Sequence, residues 1–121
     1  MEIEFRQLVK QAIGSQPVEW GNVNQGTAFP YVTLNTISDI EGYHQRGPDR
    51  LSAARVQIDM YDTTYGKVKV ASNKVRDALS GYRGGSIQGI FLDTVRDFNE
   101  AEGTDAHFRV SMDFIVNYER S

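Results

Sequence analysis

Hydrophobic and polar residues alternate along LSAARVQIDM, residues 51–60, before the pattern changes to a helical spacing. One parity holds Ala54, Val56, Ile58 and Met60, and the other holds Arg55, Gln57 and Asp59. This period of two predicts a strand with one apolar and one polar face.

A helix is predicted directly after this strand. From Thr64 the apolar residues recur every three or four positions, which is typical of an amphipathic helix. Its predicted stripe consists of Val68, Ala71, Val75, Ala78 and Leu79. Asp62 or Thr63 can cap the first turn, because either side chain can accept from a free backbone N–H group. Gly81 follows the last apolar position and suits a left-handed residue there.

A second amphipathic helix is predicted over residues 2 to about 14. Its apolar side holds Ile3, Phe5, Leu8, Val9, Ala12 and Ile13, and Gly14 and Ser15 end it. The following QPVEWGNVNQGTAFP is rich in Gly, Asn, Gln and Pro, so we interpret it as a long connection with one short extended piece around Val18 to Trp20. We expect Trp20 to serve packing, as most large aromatic residues do.

Three further strands are predicted, over residues 30–40, 87–98 and 108–118. The last of these has the clearest period of two in the chain. Between the first of them and the central strand, EGYHQRGPDR (residues 41–50) has no periodicity, and we expect a mobile, exposed loop. NEAEGTD, residues 99–105, predicts an acidic turn.

The predicted order is therefore α-β-β-α-β-β, with two antiparallel hairpins joined by the central helix. The simplest architecture is a two-layer α+β sandwich, in which one four-stranded antiparallel sheet carries both helices on one face. The other face of the sheet is expected to stay polar. A chain of 121 residues is long enough for one compact domain, so we expect residues 1–121 to form a single domain.

Composition narrows the classes of function. With 13 basic and 16 acidic residues, a net charge of −3, the chain offers no large cationic surface for nucleic-acid phosphates. It has no cysteine, which excludes disulfides, thiolate nucleophiles and cysteine-ligated metals. No apolar run approaches the roughly 20 residues that span a bilayer. We expect a soluble protein made in the cytoplasm, without a membrane partner or a specific nucleic-acid partner.

Candidate catalytic carboxylates lie on the polar parity of two strands. Asp59 and Asp113 could perform acid–base chemistry if their surroundings separated their pKa values. Arg55 and Arg109 share that parity, and cross-strand ion pairing with them explains the same residues without any chemistry. We therefore interpret these carboxylates as ion-pair partners.

Other candidate sites are weaker. His44 and His107 lack the spacing of a metal pair and are expected to be solvated surface residues. Residues 83–86, RGGS, follow a helix and no lysine succeeds them, so a plain turn is expected rather than a phosphate loop. The exposed positions of the central and last strands offer no aromatic platform for stacking RNA bases. We predict no catalytic residue, no metal site and no cofactor, and hence no enzyme.

The succession AFPYVTLNTIS, RVQIDMYD, VRDAL and FRVSMDFIVNYE resembles the tail-completion family of long-tailed bacteriophages and prophages. The resemblance extends from about Val18 to Arg120. It implies a structural protein of the virion tail that caps the head-proximal end of the tail tube, stops its polymerisation and helps join head to tail. The implied partners are further copies in a ring, taken as hexameric from the resemblance, the tail tube protein and head-completion or connector proteins. DNA would pass through the ring.

Two alternatives remain open at this point. One is a small ligand-binding or regulatory module, which would need an apolar pocket with converging polar groups. The other is a small enzyme that uses Asp59 or Asp113. Residues 21–29 and 41–50 fit arms that contact neighbouring subunits, and they fit ordinary loops equally well.

Overall fold

In a computed structural model of the protein, the described residues are 1–14, 16–23, 27–44, 47–100 and 107–120, without the side chains of 41–50 and 100. The elements in chain order are α1 (Glu2–Ile13), β1 (Val18–Trp20), β2 (Tyr31–His44), β3 (Gly47–Asp62), α2 (Tyr65–Leu79), β4 (Ile87–Glu100) and β5 (His107–Glu119). The fold is α+β, as the sequence predicts.

The sheet has five strands in the order β1-β2-β3-β5-β4. The β2–β3 and β4–β5 hairpins are antiparallel, as predicted, and β3 and β5 pair at the centre. The prediction of a four-stranded, purely antiparallel sheet is wrong, because β1 adds a parallel strand in which Val18 lies opposite Val32. With only three residues, β1 is too short for its sequence to show the period of two that is typical of a strand. β1 is held by its pairing with β2 and by Arg6, whose Nε donates to the Val18 carbonyl at 2.7 Å.

The expected loop over residues 41–50 is instead largely strand. β2 continues to His44, β3 starts at Gly47, and these two residues lie opposite each other in the register. The backbone pairs Glu41 with Ser52 and Tyr43 with Pro48, with an irregularity between Glu41 and Tyr43. No period of apolar side chains reveals this pairing in the sequence. The mobility expected for this segment stays a prediction, and residues 45 and 46 lie outside the described residues. Parts of two other predicted connections, 24–26 and 101–105, also lie outside them.

Both helices pack on one face of the sheet, as predicted. α2 contacts β3, β4 and β5, and α1 contacts α2 and β1. Phe5 and Val9 of α1 are fully buried in the same core as Ile58, Leu79 and Phe114. The predicted core positions of the strands are therefore confirmed.

The apolar stripes of the two helices differ from the prediction at single positions. Ile3 is 81% exposed, because α1 meets the core through Phe5 and Val9. On α2, Ala78 was predicted to belong to the stripe but is exposed. Ser72 was not predicted to belong to it but is buried. Ser72 lies one turn after Val68 and satisfies its hydroxyl by donating to the Lys69 carbonyl at 2.9 Å, so a polar residue can occupy the stripe.

The ends of α2 follow ordinary capping chemistry. Thr64 is the N-cap, and its Oγ1 accepts from the Lys67 N–H at 3.3 Å, one or two positions beyond the predicted caps. Asp62 instead accepts from the Thr63 N–H at 2.6 Å. Gly81 has a φ of 79°, the left-handed conformation expected after the helix.

Candidate interaction surface on the helix-free face of the sheet

The face of the sheet that the helices leave uncovered divides into three zones. In antiparallel pairs, residues that lie opposite each other point to the same face, so the register orders this surface in rows. The rows run from Tyr31, Tyr61, Arg109 and Phe98 at one end, through Asn35, Gln57, Asp113 and Thr94, to Arg55, Ile115 and Phe91. The zones are aromatic, charged and apolar in that order.

The aromatic zone is a stack that begins in the connection before β2. The Phe29 ring lies 5.2 Å from Tyr31 and 4.9 Å from His107, and Tyr31 lies 4.7 Å from Tyr61 between ring centres. His107 is half-buried in this stack, so the expectation of a solvated histidine is wrong. The aromatic residues of this face were not predicted from the sequence. Tyr61 continues the parity of Arg55, Gln57 and Asp59, and that signal could have placed it.

Asp59 occupies the next row and is only 6% exposed. Its Oδ1 lies 3.9 Å from Arg109 Nη1 and accepts from Gln57 Nε2 at 3.3 Å. Gln57 also donates to Ser111 Oγ at 2.9 Å. The predicted pairing with an arginine is confirmed, but this carboxylate is buried rather than solvated. The Arg109 guanidinium also lies over the Phe98 ring, 4.2 Å from its centre.

The charged zone centres on Arg55 and links three strands. Arg55 Nη1 lies 2.6 Å from Asp93 Oδ2 and 3.4 Å from Asp113 Oδ2, and Arg96 Nη2 lies 3.4 Å from Asp113 Oδ1. The hydrogen bond from Arg55 holds the pKa of Asp93 below its ordinary value, and Asp93 raises the pKa of Arg55. The predicted cross-strand pairing of Asp113 with one of these arginines is confirmed. Asp93 was missed because it lies at an irregularity between Leu92 and Thr94, where β4 loses its period.

The apolar zone, called here the apolar patch, consists of Ile40, Leu51, Ala53, Phe91 and Ile115. Ile40, Leu51 and Phe91 are 66%, 46% and 54% exposed. Ile40 lies opposite Ala53, and Phe91 lies opposite Ile115. The expectation that this face stays polar is therefore wrong at this end. Apolar side chains gathered in one exposed patch are typical of an interaction site.

Gly89 shapes the apolar patch. A Cβ atom built on Gly89 would lie 3.1 Å from two atoms of the Phe91 ring, so the ring lies back over the glycine backbone. Gly89 lies opposite Asn117, which lies opposite Ala53. The Phe91 ring is thus turned toward the row that carries Ala53 and Ile40.

The remaining candidates lie elsewhere. Residues 83–86 form a turn, as predicted, in which the Ser86 N–H donates to Glu4 Oε2 at 3.1 Å. Trp20 packs against Phe5 at 6.1 Å between ring centres, which confirms its packing role. The backbone of His44 lies at the end of β2, and its side chain is outside the description. Within the described ranges, no three potential metal ligands cluster, and no helix is long and apolar enough to cross a membrane.

Comparisons with known proteins give two matches of different kinds. The family model described as "Tail completion protein gp17" matches residues 7–119. A chain from the solved structure described as "Virion of native gene transfer agent (GTA) particle" has a similar fold, with a TM-score of 0.69 and 19% sequence identity. The alignment covers 92% of this chain and 84% of that chain. No curated protein sequence gives a match.

Proposed function

Because the chain belongs to the family of tail completion protein gp17, a family of phage structural proteins, we propose that it caps the head-proximal end of the tail tube. There it stops polymerisation of the tube and takes part in joining the tail to the head. The fold neighbour, described as part of the virion of a gene transfer agent particle, supports a place in a virion. Residues 1–121 act as one tail-completion domain, made in the cytoplasm of the bacterial host.

The observation that carries this proposal is the apolar patch beside a fixed charged zone. Surfaces of this kind, an apolar centre with a polar rim, are typical of protein–protein interfaces. Phe91 supplies the large aromatic anchor, and Arg55, held by Asp93 and Asp113, lies in the same row, beyond Ile115, as part of the rim. The patch suits a contact between subunits or with the next component of the tail.

We assign the patch to contacts within a ring of subunits. A contact between two different surfaces of the same chain closes into a ring when it repeats around a rotation axis. The family resemblance implies six subunits, with the tail tube protein on one side of the ring and head-completion or connector proteins on the other. Each contact can be modest, because the tail end presents many contacts at once.

The proposal is tested in the phage or prophage that encodes the chain. Deleting the gene is expected to give heads and tails that do not join, or tails of uncontrolled length, in electron micrographs of the lysate. A complementing copy that carries Phe91→Asp is expected to restore few infectious particles, because the new carboxylate must lose its water when the patch is covered.

Ile3→Asp is the matched control for this substitution. It makes a similar change from apolar to acidic at a residue that is 81% exposed on α1, far from the helix-free face. Full rescue by Ile3→Asp with failure by Phe91→Asp would support the assignment of the patch. Normal infectious particles from the deletion mutant would overturn the tail-completion role. Full rescue by Phe91→Asp would overturn only the assignment of the apolar patch as a contact surface.

A further inference from the structure

A second surface lies between the C-terminal end of α1 and the N-terminal half of α2. It extends to Phe29, whose ring also stacks on Tyr31 and His107. It is an open groove of about 510 Å³. Ile13, Phe29 and Val70 are among its apolar lining residues. Val70 is 55% exposed, whereas Val68, Val75 and Leu79 of the same helix are buried.

Gly66 gives the groove its open side. It lies in the first turn of α2, and a Cβ atom built there would meet nothing within 4 Å. A glycine within a helix costs stability relative to alanine, yet no neighbouring atom requires one here. The space beside Gly66 is therefore available to an occupant from outside the chain.

Two lysines of α2 give the groove a positive charge. Lys67 and Lys74 both line it, and neither side chain forms an ion pair with another part of the chain that the structure describes. By contrast, Lys69 on the same helix pairs with Asp97 at 3.3 Å. Asp62 also lines the groove, but it is only 6% exposed, and its Oδ1 accepts from the N–H and the hydroxyl of Thr63. Lys67 and Lys74, by contrast, are exposed.

We propose that this groove binds a short acidic segment of a partner protein that carries apolar side chains between its acidic ones. Seven positions separate the two lysines, which is about 10.5 Å along a helix that rises 1.5 Å per residue. Three positions of a segment in the polyproline II conformation span about 9 Å, because this conformation rises 3.1 Å per residue. Three positions also complete one turn, so side chains three positions apart lie on the same side. Two acidic residues three positions apart therefore match the two ammonium groups, and the residues between them contact Val70, Ile13 and Phe29.

The inference is independent of the proposed tail role, since it rests on the groove alone. Charge complementarity selects an acidic segment over a basic one. It also distinguishes the groove from the apolar patch, where the adjoining arginine is already paired with carboxylates of the same chain. Nucleic acid and a second copy of this chain are the other occupants that the experiment must separate.

Nuclear magnetic resonance titration of the full ¹⁵N-labelled chain tests the proposal. The probe is the blocked peptide Gly-Glu-Leu-Phe-Glu-Gly, added up to about 1 mM, so that a Kd as weak as about 1 mM can still be measured. It is expected to shift the backbone signals of Gly66, Lys67 and Val70. Two reference peptides, one with lysine for glutamate and one with Gly-Ser for Leu-Phe, are expected to bind at least about tenfold more weakly, since each lacks one of the two interactions.

Variants of the chain supply the decisive comparison. Lys67→Glu with Lys74→Glu is expected to weaken binding of the acidic peptide at least about tenfold, and Gly66→Phe is expected to block it by filling the groove. Arg83→Glu, the same charge reversal at an exposed position outside the groove lining, is expected to leave binding unchanged. Thermal unfolding of each variant shows that it is folded.

Four results would overturn the proposal. They are no shift with the acidic peptide, equal binding of the lysine peptide, displacement of the acidic peptide by oligothymidylate, and shifts of the groove signals on concentrating the chain without peptide. The third result would identify the groove as a nucleic-acid site, and the fourth would identify its occupant as a second copy.

Discussion

Glu4 in the first turn of α1 accepts two hydrogen bonds from Ser86, 82 positions later in the chain. One comes from the backbone N–H of Ser86 and the other from its hydroxyl. These two hydrogen bonds connect α1 to the turn that leads into β4. A Cβ atom on the adjacent Gly85, which has a φ of 53°, would collide with the same carboxylate, so a glycine is required there.

The first prediction is that this contact makes stability depend on pH. The hydroxyl of Ser86 holds the pKa of Glu4 below its ordinary value of 4.5. A carboxylate with a lowered pKa in the folded state stabilises the protein above its ordinary pKa, and this stabilisation is lost as the pH falls through the lowered value. Glu4→Gln should therefore lower the free energy of unfolding by about 1 kcal/mol near pH 7. The difference from wild type should shrink below about pH 4.5.

Urea denaturation at several pH values measures this difference. Glu2→Gln, at an exposed position on the same helix, is the control and should show a smaller difference near pH 7. A deficit of Glu4→Gln that stays constant down to pH 3 would contradict the predicted role of the Glu4 charge.

The second prediction concerns the core between the sheet and the helices. Ile58, Leu79 and Phe114 are fully buried, and replacing each by alanine should cost about 2 to 5 kcal/mol, because apolar volume is lost and a cavity remains. Chemical denaturation measures each loss. Val70→Ala is a useful comparison, since Val70 is 55% exposed and its truncation should cost well under 1 kcal/mol. Equal losses at Val70 and Leu79 would show that the buried stripe of α2 is assigned wrongly.

The third prediction reverses an expectation from the sequence. Asp59 lies on the polar parity of β3, which alone suggests that alanine would be tolerated there. Because its carboxylate is buried beside Arg109 and Gln57, Asp59→Ala should cost about 1 to 3 kcal/mol, since the groups that bond to it lose a buried partner. Asp97→Ala removes a more exposed ion pair with Lys69 and should cost at most about 1 kcal/mol. A larger loss of unfolding free energy for Asp97→Ala than for Asp59→Ala, measured by chemical denaturation, would refute this prediction.

The strands show how far the sequence predicts the structure. The parity of β3 and β5 identifies the residues that face the helices, since Ile58 and Phe114 are both fully buried. Parity cannot reveal that Asp59 on the opposite face of β3 is buried, because it lies beside Arg109, which comes from β5 and lies over Phe98 of β4. Such contacts depend on strand order, and strand order is a property of the whole chain.

The candidate surfaces were the least predictable part. Ile40 and Phe91 come from different hairpins, and only the pairing of β3 with β5 brings them to one end of the helix-free face. The groove combines Ile13 from α1 with Lys67 and Lys74 from α2, which no local pattern connects. By contrast, Asp59 and Asp113 were correctly interpreted as ion-pair partners, because carboxylates and arginines on one parity of neighbouring strands meet directly.

The fourth prediction separates the apolar patch from stability. Gly89→Ala places a methyl group where the Phe91 ring lies, but this ring is 54% exposed and has room to turn away. Alanine in a strand loses less conformational entropy than glycine, so the variant should be as stable as wild type or up to about 1 kcal/mol more stable. In the complementation assay it should nevertheless rescue poorly, because the ring no longer occupies its place in the patch. Marked destabilisation by Gly89→Ala would contradict this account. Full rescue by the variant in the complementation assay, although its Phe91 ring has moved, would also contradict it.

The fifth prediction concerns the distal part of the β2–β3 ribbon. The core receives Val32 and Leu34 from β2 and Ala54, Val56, Ile58 and Met60 from β3, so it ends before the ribbon does. Replacing residues 42–50 by Gly-Asn-Gly keeps Leu51 and the pair Glu41–Ser52 and closes the hairpin with a short connection of a common length. We expect this shortened chain to keep its fold, with circular dichroism and a thermal midpoint close to those of wild type. If the ribbon is an arm that contacts neighbouring subunits, the shortened chain should fail to restore joined heads and tails in the deletion mutant. Infectious particles at the wild-type level from a folded, shortened chain would show that the ribbon has no such role.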